Sequence, residues 1–271
     1  MQQQLSNEHL YLDLLKKALT ASLYDESAWA LKGKSGNPIR NLLWRAVRLS
    51  NRSYQLVQQK KFDDVKRDEG RDYPMFGYTM VGHKRLNNVQ QCMEDVLAND
   101  VPGDVIETGV WRGGTTIFMR ALLKAYEIKD RKVFVADSFE GLPVPKDESD
   151  GHDLSGSEYL SISLEQVQEN FRRFGLLDDQ VEFLKGWFCD TLPTAPIEKL
   201  AILRLDGDLY SSTMDALNNL YPKVSSGGYV IVDDYHSWVA CKQAVTDYRA
   251  EHGITAEIQS VDWSGACWQV P

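Results

Sequence analysis

Residues 104–139 read DVIETGVWRGGTTIFMRALLKAYEIKDRKVFVADSF, and this stretch predicts the fold. A short apolar run leads to Gly109, a helical pattern of apolar residues follows, and a second apolar run ends at Asp137. Strand, helix and strand in this order form a βαβ unit, in which the two strands lie parallel. The stretch therefore predicts a sheet of the α/β class.

The same alternation continues toward the C-terminus. Further strands are predicted at 181–188, 200–208 and 227–235, with one helix before the first of them and another between the last two. Their continuous apolar runs are typical of parallel strands that are covered by helices on both faces. The last two predicted strands, 256–261 and 266–271, are too close in sequence for a crossover helix and should pair antiparallel. We therefore expect a Rossmann-like fold with a mostly parallel seven-stranded sheet and an antiparallel C-terminal hairpin.

The first 98 residues are predicted to be mainly helical. Apolar residues recur at helical spacing over 5–24, 39–62 and 85–98. We interpret residues 1–98 as a helical extension or lid that belongs to the same domain as the α/β core at 99–271.

Serine residues predict where three of the later helices begin. Ser163 precedes an apolar stripe and has Gln166 three positions later, which is a capping-box pattern. Ser211 or Ser212, and later Ser237, precede two further stripes and are predicted as N-caps.

The composition argues against several classes of protein. The chain has 271 residues and a formal net charge of −9, so we expect no nucleic-acid partner. Its N-terminus lacks the pattern of a secretory signal, and no apolar run approaches the ~20 residues of a membrane span, so we expect no membrane partner. The cysteine spacing matches neither a zinc site nor a CxxC pair, which favours free buried thiols and a cytoplasmic location. These cysteines are Cys92, Cys189, Cys241 and Cys267.

The segment at 107–116, ETGVWRGGTT, predicts a ligand site after the first core strand. Gly109 permits a tight turn, and Gly113 lets the backbone approach a ligand closely. Trp111 replaces the second glycine of a dinucleotide motif, and Glu107 is unfavourable beside a pyrophosphate. Asp137, at the end of the next strand, is placed to accept hydrogen bonds from ribose hydroxyls. The pattern therefore favours a nucleoside with a cationic tail, and S-adenosylmethionine fits it.

Three aspartates at the ends of two later strands predict a metal site. Asp206 ends one strand, and Asp233 and Asp234 end the next. Strand ends of an open α/β sheet meet at one edge, and converging carboxylates repel one another unless a cation neutralises them. Oxygen ligands alone favour Mg²⁺, which would hold substrate oxygens and lower the pKa of a hydroxyl. The alternative is that an aspartate caps the following helix, and Asp208 is the best example.

Long motifs across nearly the whole chain resemble one bacterial family. They include LYLDLLKKAL at 10–19, DYPMFGYTMVGHKRLNN at 72–88, VIETGVWRGG at 105–114, VADSFEGLP at 135–143, LAILRLDGDLYSSTMDAL at 200–217 and GGYVIVDDY at 227–235. These motifs resemble the macrocin O-methyltransferases, which methylate sugar hydroxyls on antibiotics and related natural products.

The resemblance implies an O-methyltransferase that uses S-adenosylmethionine and Mg²⁺ and takes a small glycosylated acceptor. The residues expected to hold S-adenosylmethionine are Thr79, Met80, Glu107, Gly109, Arg112, Gly113, Asp137, Ser138 and Asp206. The residues expected to hold Mg²⁺ are Asp206, Asp233 and Asp234. Asp206 is also the candidate general base, with His236 as the alternative.

The basic segment at 27–62 departs from the family pattern, because it is longer and more basic. It is interpreted either as a helical elaboration that packs on its own or a partner subunit, or as a lid that selects the acceptor. Its basic residues are Lys32, Lys34, Arg40, Arg45, Arg48, Arg52, Lys60 and Lys61. The apolar helical front of the chain also suggests a homo-oligomer.

Several interpretations stay open at this stage. His83 is expected to have a structural or substrate-shaping role, and Trp187 either flanks adenine or belongs to the core. His152 lies in a polar loop at 143–160 that is interpreted as a mobile lid. The alternatives to a sugar O-methyltransferase are a catechol-type O-methyltransferase, a nicotinamide oxidoreductase, which Trp111 and Glu107 disfavour, and a non-catalytic cofactor-binding subunit.

Overall fold

The computed structural model describes residues 6–24, 28–30, 38–50, 57–59, 63–72, 74–151 and 153–271. The front of the chain contains α1 (Asn7–Leu19), β1 (Ala28–Ala30), α2 (Pro38–Ser50), β2 (Val57–Gln59), α3 (Asp64–Asp68) and α4 (His83–Ala98). The α/β part begins with β3 (Asp104–Thr108), α5 (Gly114–Ala125), β4 (Val133–Asp137), α6 (Leu164–Arg173), β5 (Val181–Lys185) and α7 (Phe188–Thr191). It ends with β6 (Leu200–Leu205), α8 (Tyr210–Leu220), β7 (Val224–Val232), α9 (Val239–Glu251), β8 (Gln259–Ser260) and β9 (Ala266–Gln269).

The main sheet has seven strands in the order β5-β4-β3-β6-β7-β9-β8. The first five are parallel, whereas β9 pairs antiparallel with both β7 and β8. This confirms the predicted mostly parallel sheet with an antiparallel C-terminal hairpin. From β3 the chain winds outward to β4 and β5, then returns to the other side of β3 at β6. The strand order therefore reverses between β3 and β6, which is where sheets of this kind bind ligands.

The sheet is covered by helices on both faces. On one face α1, α4, α5 and α6 share a cluster of buried apolar side chains, in which Leu12, Leu86 and Phe118 are almost fully buried. On the other face α8 and α9 pack on the sheet through Leu217, Val245 and their neighbours. Every residue of β6 is buried, as expected for a strand between two helical layers. The helices at 7–19 and 83–98 thus pack on the same core as the sheet, while the division into 1–98 and 99–271 stays a prediction.

One of the three predicted helix caps is confirmed, and two are wrong. The Ser163 side chain accepts from the backbone N–H of Gln166 at the start of α6. By contrast, α8 begins after Leu209 and α9 after Trp238, neither of which makes a side-chain cap. Two of the serines expected in these positions make tertiary contacts instead: Ser211 donates to Asp150, and the Ser237 hydroxyl contacts that of Ser264 at 2.6 Å.

The predicted helix over 39–62 is also shorter than expected. Helix α2 ends at Ser50, and the short strand β2 follows at 57–59. Several apolar residues of α2 are exposed: Ile39, Leu42, Leu43 and Leu49. The remaining basic positions of the segment at 32, 34, 52, 60 and 61 lie outside the described residues.

The four cysteines are free. Cys92, Cys241 and Cys267 are buried as predicted, whereas Cys189 is exposed on the short helix α7. Within the described part of the chain, no helix is both long and apolar enough to cross a bilayer.

Candidate active site

Gly109 brings the ends of β3 and β6 together. Its φ is +88°, and a Cβ added there would lie 1.8 Å from the backbone oxygen of Asp206, so only glycine fits. The Gly109 N–H donates to Ala136 O, and the Asp206 N–H donates to Thr108 O. Backbone hydrogen bonds therefore hold the residues that follow β3, β4 and β6 at one edge of the sheet, at the point where the strand order reverses.

A cavity of about 280 Å³ opens at this edge. One side is formed by residues that follow β3, β4 and β5: Gly109, Trp111, Asp137, Ser138, Gly186 and Trp187. The other side is formed by residues that follow β6 and by the start of α8: Asp206, Gly207, Asp208, Ser211, Ser212 and Asp215. Met80 and the loop residues Leu142, Pro143, Lys146 and Leu160 also line the cavity.

Asp137 is held rigidly at the cavity wall. One carboxylate oxygen accepts from the Val110 N–H at 2.8 Å and the other from the Phe139 N–H at 2.7 Å. Burial raises the pKa of Asp137, and these backbone hydrogen bonds oppose the rise. The Ser138 hydroxyl also donates to one of these oxygens, at 3.4 Å. An ionised carboxylate has about four acceptor positions, so Asp137 is able to accept from a ribose hydroxyl as well.

A buried arginine links three of the strand-end carboxylates. Arg204, in β6, is about 1% exposed and donates to Glu107, Asp206 and Asp233, with 2.8 Å to the Asp206 oxygen. Asp233 also accepts from Arg85 of α4. Burial raises the pKa of Glu107 to about 8 against the attraction of Arg204, because one guanidinium is shared among three carboxylates.

An acidic trio lies beside this network. Carboxylate oxygens of Asp206, Asp208 and Asp234 all lie within 4.8 Å of one another. Burial first, and then repulsion from neighbouring carboxylates, raises the pKa of Asp206 and Asp234 and brings that of Asp208 to about 7. Asp208 has a φ of +57°, an uncommon conformation for a residue with a side chain. The donor set is all oxygen and electron-rich, which fits a hard divalent cation.

The trio differs from the predicted metal ligands at one position. The sequence predicted Asp233, but both oxygens of its carboxylate accept from Arg85 and Arg204. The neighbouring Asp234 accepts from the Ser237 hydroxyl at 3.1 Å instead. The geometry thus joins Asp208, which sequence reasoning favoured as a helix cap, to Asp206 and Asp234.

The predicted cofactor residues divide into two groups. Those that line the cavity are Met80, Gly109, Asp137, Ser138 and Asp206. Those outside the lining are Thr79, Glu107, Arg112 and Gly113. Arg112, one of the expected cofactor residues, donates from its guanidinium to Met75 O and Gly77 O and lies over the Trp111 ring. In the structure it therefore ties the loop at 75–77 to the glycine segment.

Among the described residues, no histidine lines the cavity. His236 forms a contact of 3.0 Å with the Ser260 hydroxyl, and His83 forms contacts with the hydroxyls of Thr20 and Ser22. Burial lowers the pKa of His83. Trp187 does line the cavity, whereas His152 lies outside the described residues.

Sequence reasoning missed three residues of this site: Arg204, Arg85 and Asp150. Arg204 gave a signal, because a cation within the apolar run AILRL must find a buried anion. Arg85 and Asp150 gave none, since an arginine on an amphipathic helix and an aspartate in a polar loop are ordinary surface residues by pattern.

Comparison with known proteins agrees with this architecture. The macrocin-O-methyltransferase (TylF) family model matches residues 8–270. Demethyldecarbamoylnovobiocin O-methyltransferase of Streptomyces niveus is 47% identical over 97% of this chain and 94% of its own length. Mycinamicin III 3''-O-methyltransferase of Micromonospora griseorubida is 46% identical over 96% of each chain.

A third relative, from Streptomyces olivaceus, is the 8-demethyl-8-(2,3-dimethoxy-alpha-L-rhamnosyl)-tetracenomycin-C 4'-O-methyltransferase. It is 48% identical over 96% of this chain and 92% of its own length. The solved structure of the O-methyltransferase NovP has a TM-score of 0.81 at 45% identity and covers 97% of this chain and 99% of its own. The calicheamicin methyltransferase CalS11, at 19% identity and a TM-score of 0.57, shares the fold. The chain therefore belongs to the macrocin O-methyltransferase family and is an S-adenosylmethionine-dependent O-methyltransferase.

Proposed function

We propose that this enzyme transfers a methyl group from S-adenosylmethionine to a sugar hydroxyl of a natural-product glycoside, with Mg²⁺ bound at the acidic trio. The observation that carries the proposal is the closeness of Asp206, Asp208 and Asp234 beside a cavity that Asp137 also lines. The names of two relatives, a mycinamicin 3''-O-methyltransferase and a rhamnosyl-tetracenomycin 4'-O-methyltransferase, support a sugar-bearing acceptor.

The residues that follow β3 and β4 are proposed to hold the cofactor. Asp137 accepts from ribose hydroxyls, Gly109 allows close approach of the backbone, and Ser138 and Met80 complete the wall. The cofactor supplies an electrophilic methyl group. Four further residues are proposed to act from outside the cavity lining, by positioning the segments that contact the cofactor: Thr79, Glu107, Arg112 and Gly113.

The metal site is proposed to use Asp206, Asp234 and a third carboxylate. Asp208 occupies the third position in the described geometry, and Asp233 reaches it only by giving up ion pairs with Arg85 or Arg204. Mg²⁺ would neutralise the trio, lower the pKa of a hydroxyl and hold acceptor oxygens. The raised pKa values of the three aspartates support this, because a cation would stabilise the ionised form of carboxylates that are buried close together.

Asp206 is proposed as the general base. Arg204 donates to one of its oxygens, which orients the carboxylate, and the residue lines the cavity where the acceptor hydroxyl would lie. His236 is the weaker candidate, since it is engaged with Ser260 and lies outside the lining. The residues then contribute by placing the hydroxyl in line with the methyl group and by taking up its proton.

A cytoplasmic homo-oligomer is proposed for the assembly. Helix α1 exposes Leu10 and Leu14, and the exposed apolar residues of α2 lie in the same part of the chain. Exposed apolar helical faces of this kind mark protein contacts. Multi-angle light scattering tests this directly, and a monomer at micromolar concentration would refute it.

Methyl transfer from radiolabelled S-adenosylmethionine tests the proposed reaction. The acceptor panel contains the desmethyl glycosides on which the named relatives act, a simple catechol and a buffer blank. We expect label on a glycoside, loss of activity in EDTA and recovery with Mg²⁺. Asp206→Asn should abolish transfer while leaving S-adenosylhomocysteine binding largely intact. Labelling of the catechol alone would favour the catechol-type alternative, and activity that is unchanged in EDTA would refute the metal site.

A further inference from the structure

The loop at 143–160 forms one wall of the cavity. Pro143, Lys146 and Leu160 line it, together with Leu142 just before the loop. A polar loop of this length keeps one position only if specific contacts hold it, because ordering its backbone costs conformational entropy. Two sets of contacts fix this loop.

Asp150 is a buried side chain of this loop. It is 1% exposed, although the residues before it are exposed. One carboxylate oxygen accepts from the Ser211 N–H at 2.7 Å. The other accepts from the Ser211 hydroxyl at 3.1 Å and from the Lys146 N–H at 2.7 Å. The same carboxylate thus closes a turn within the loop and joins the loop to α8.

Helix α8 needs this partner. Its N-cap is Leu209, which has no side-chain acceptor, so the first N–H groups of the helix depend on another residue. Asp150 supplies the acceptor from a position 61 residues earlier, and its negative charge is favourable at the positive end of the helix dipole. Because α8 begins directly after Asp206 and Asp208, the loop is tied to the segment that carries the acidic trio.

A second contact holds the far end of the loop. The Tyr159 hydroxyl donates to Pro74 O at 2.9 Å, and the Trp111 indole N–H donates to Tyr159 O at 2.8 Å. Trp111 lies in the glycine segment and has a φ of +48°. The loop is thus attached on the cofactor side through Tyr159 and on the acidic side through Asp150.

We propose that Asp150 is a positioning residue that seats the loop at 143–160 on the N-terminus of α8, so that the loop closes the cavity over the bound cofactor. The inference rests on cofactor binding in this cavity, but on neither Mg²⁺ nor the identity of the acceptor. The Asp150 carboxylate accepts two hydrogen bonds from Ser211 of α8, and these hold the loop closed. A hydrogen bond to a charged group contributes enough free energy to change the equilibrium between the closed and the open loop about tenfold.

The test compares Asp150→Ala with Asp153→Ala. Asp153 is in the same loop, but among the described residues its carboxylate accepts from Ser155 of the loop itself and from no residue of α8. Hydrogen exchange followed by mass spectrometry reports opening of the loop and of the first turn of α8. Stopped-flow fluorescence reports the dissociation rate of S-adenosylhomocysteine. Asp150→Asn is a second variant, since its amide keeps one acceptor oxygen and therefore part of the contact.

Asp150→Ala should raise exchange in the loop and at the start of α8 by about tenfold to hundredfold, and should speed dissociation of the ligand by about tenfold or more. Asp150→Asn should fall between it and the wild type, and Asp153→Ala should match the wild type. Faster local exchange without faster dissociation would overturn the closing role. Unchanged local exchange, or a rise spread over the whole chain, would overturn the seating of the loop. If the wild type fails to bind S-adenosylhomocysteine, the cofactor assignment fails, and exchange alone decides the role of Asp150.

Discussion

Replacement of Arg204 by methionine should destabilise the protein strongly, because this one guanidinium compensates several buried carboxylates. Its side chain is 1% exposed and contacts Glu107, Asp206 and Asp233. Removing one partner of a buried ionic network costs about 3–5 kcal/mol. We expect the lower end, about 3 kcal/mol, since Glu107, with its pKa raised to about 8, is largely protonated at pH 7 already, and Asp233 keeps its ion pair with Arg85.

Urea unfolding followed by circular dichroism measures this loss as a shift of the midpoint at constant slope. Arg173→Met is the matched control, because Arg173 forms an exposed ion pair with Glu169 in α6. Exposed pairs contribute less than about 1 kcal/mol. If Arg204→Met costs no more than Arg173→Met, the buried network does not hold the strand ends together as described.

Three further predictions concern the same edge of the sheet. The pKa of Glu107 is raised from 4.5 to about 8, so its contribution to the free energy of unfolding is present below about pH 4.5 and is lost as the pH rises to 8; about 3 kcal/mol of it is lost at pH 7. Glu107→Gln should flatten the pH dependence of urea unfolding by that amount, and an unchanged profile would refute the burial of an uncharged carboxyl. Asp208→Asn should weaken Mg²⁺ binding at least about tenfold in calorimetric titration, whereas Asp233→Asn should mainly lower the urea midpoint of unfolding. Weaker Mg²⁺ binding by Asp233→Asn than by Asp208→Asn would make Asp233 the metal ligand. Gly109→Ala should abolish binding of S-adenosylhomocysteine, since its Cβ would lie 1.8 Å from a backbone oxygen, whereas Gly156→Ala, whose Cβ would meet no described atom within 4 Å, should bind the ligand normally. Normal binding by both variants would contradict the close approach of β3 and β6.

Much of the fold was predictable because it depends on patterns that a sequence displays. The glycine segment after β3, the apolar runs of the strands and the short link before β9 gave the strand directions. The positions of Asp137 and Asp206 at the cavity followed from the rule that ligands bind at the carboxyl ends of parallel strands.

The rest depends on partners that are distant in sequence. Asp233 and Asp234 look equivalent in sequence, but Asp234 joins Asp206 and Asp208 in the acidic trio, whereas Asp233 forms ion pairs with Arg85 and Arg204. Ser211 looked like a helix cap by local pattern, whereas the acceptor at the start of α8 comes from Asp150. No local pattern reports a contact across 61 residues.

Binding of a divalent cation by the acidic trio, next to the cofactor, is tested most directly by calorimetric titration of Mg²⁺ into EDTA-treated protein saturated with S-adenosylhomocysteine. Asp234→Asn is the comparison. We predict one saturable site in the wild type and at least about tenfold weaker binding in the variant. Absence of saturable binding in the wild type, or equal affinity in the two proteins, would contradict the claim.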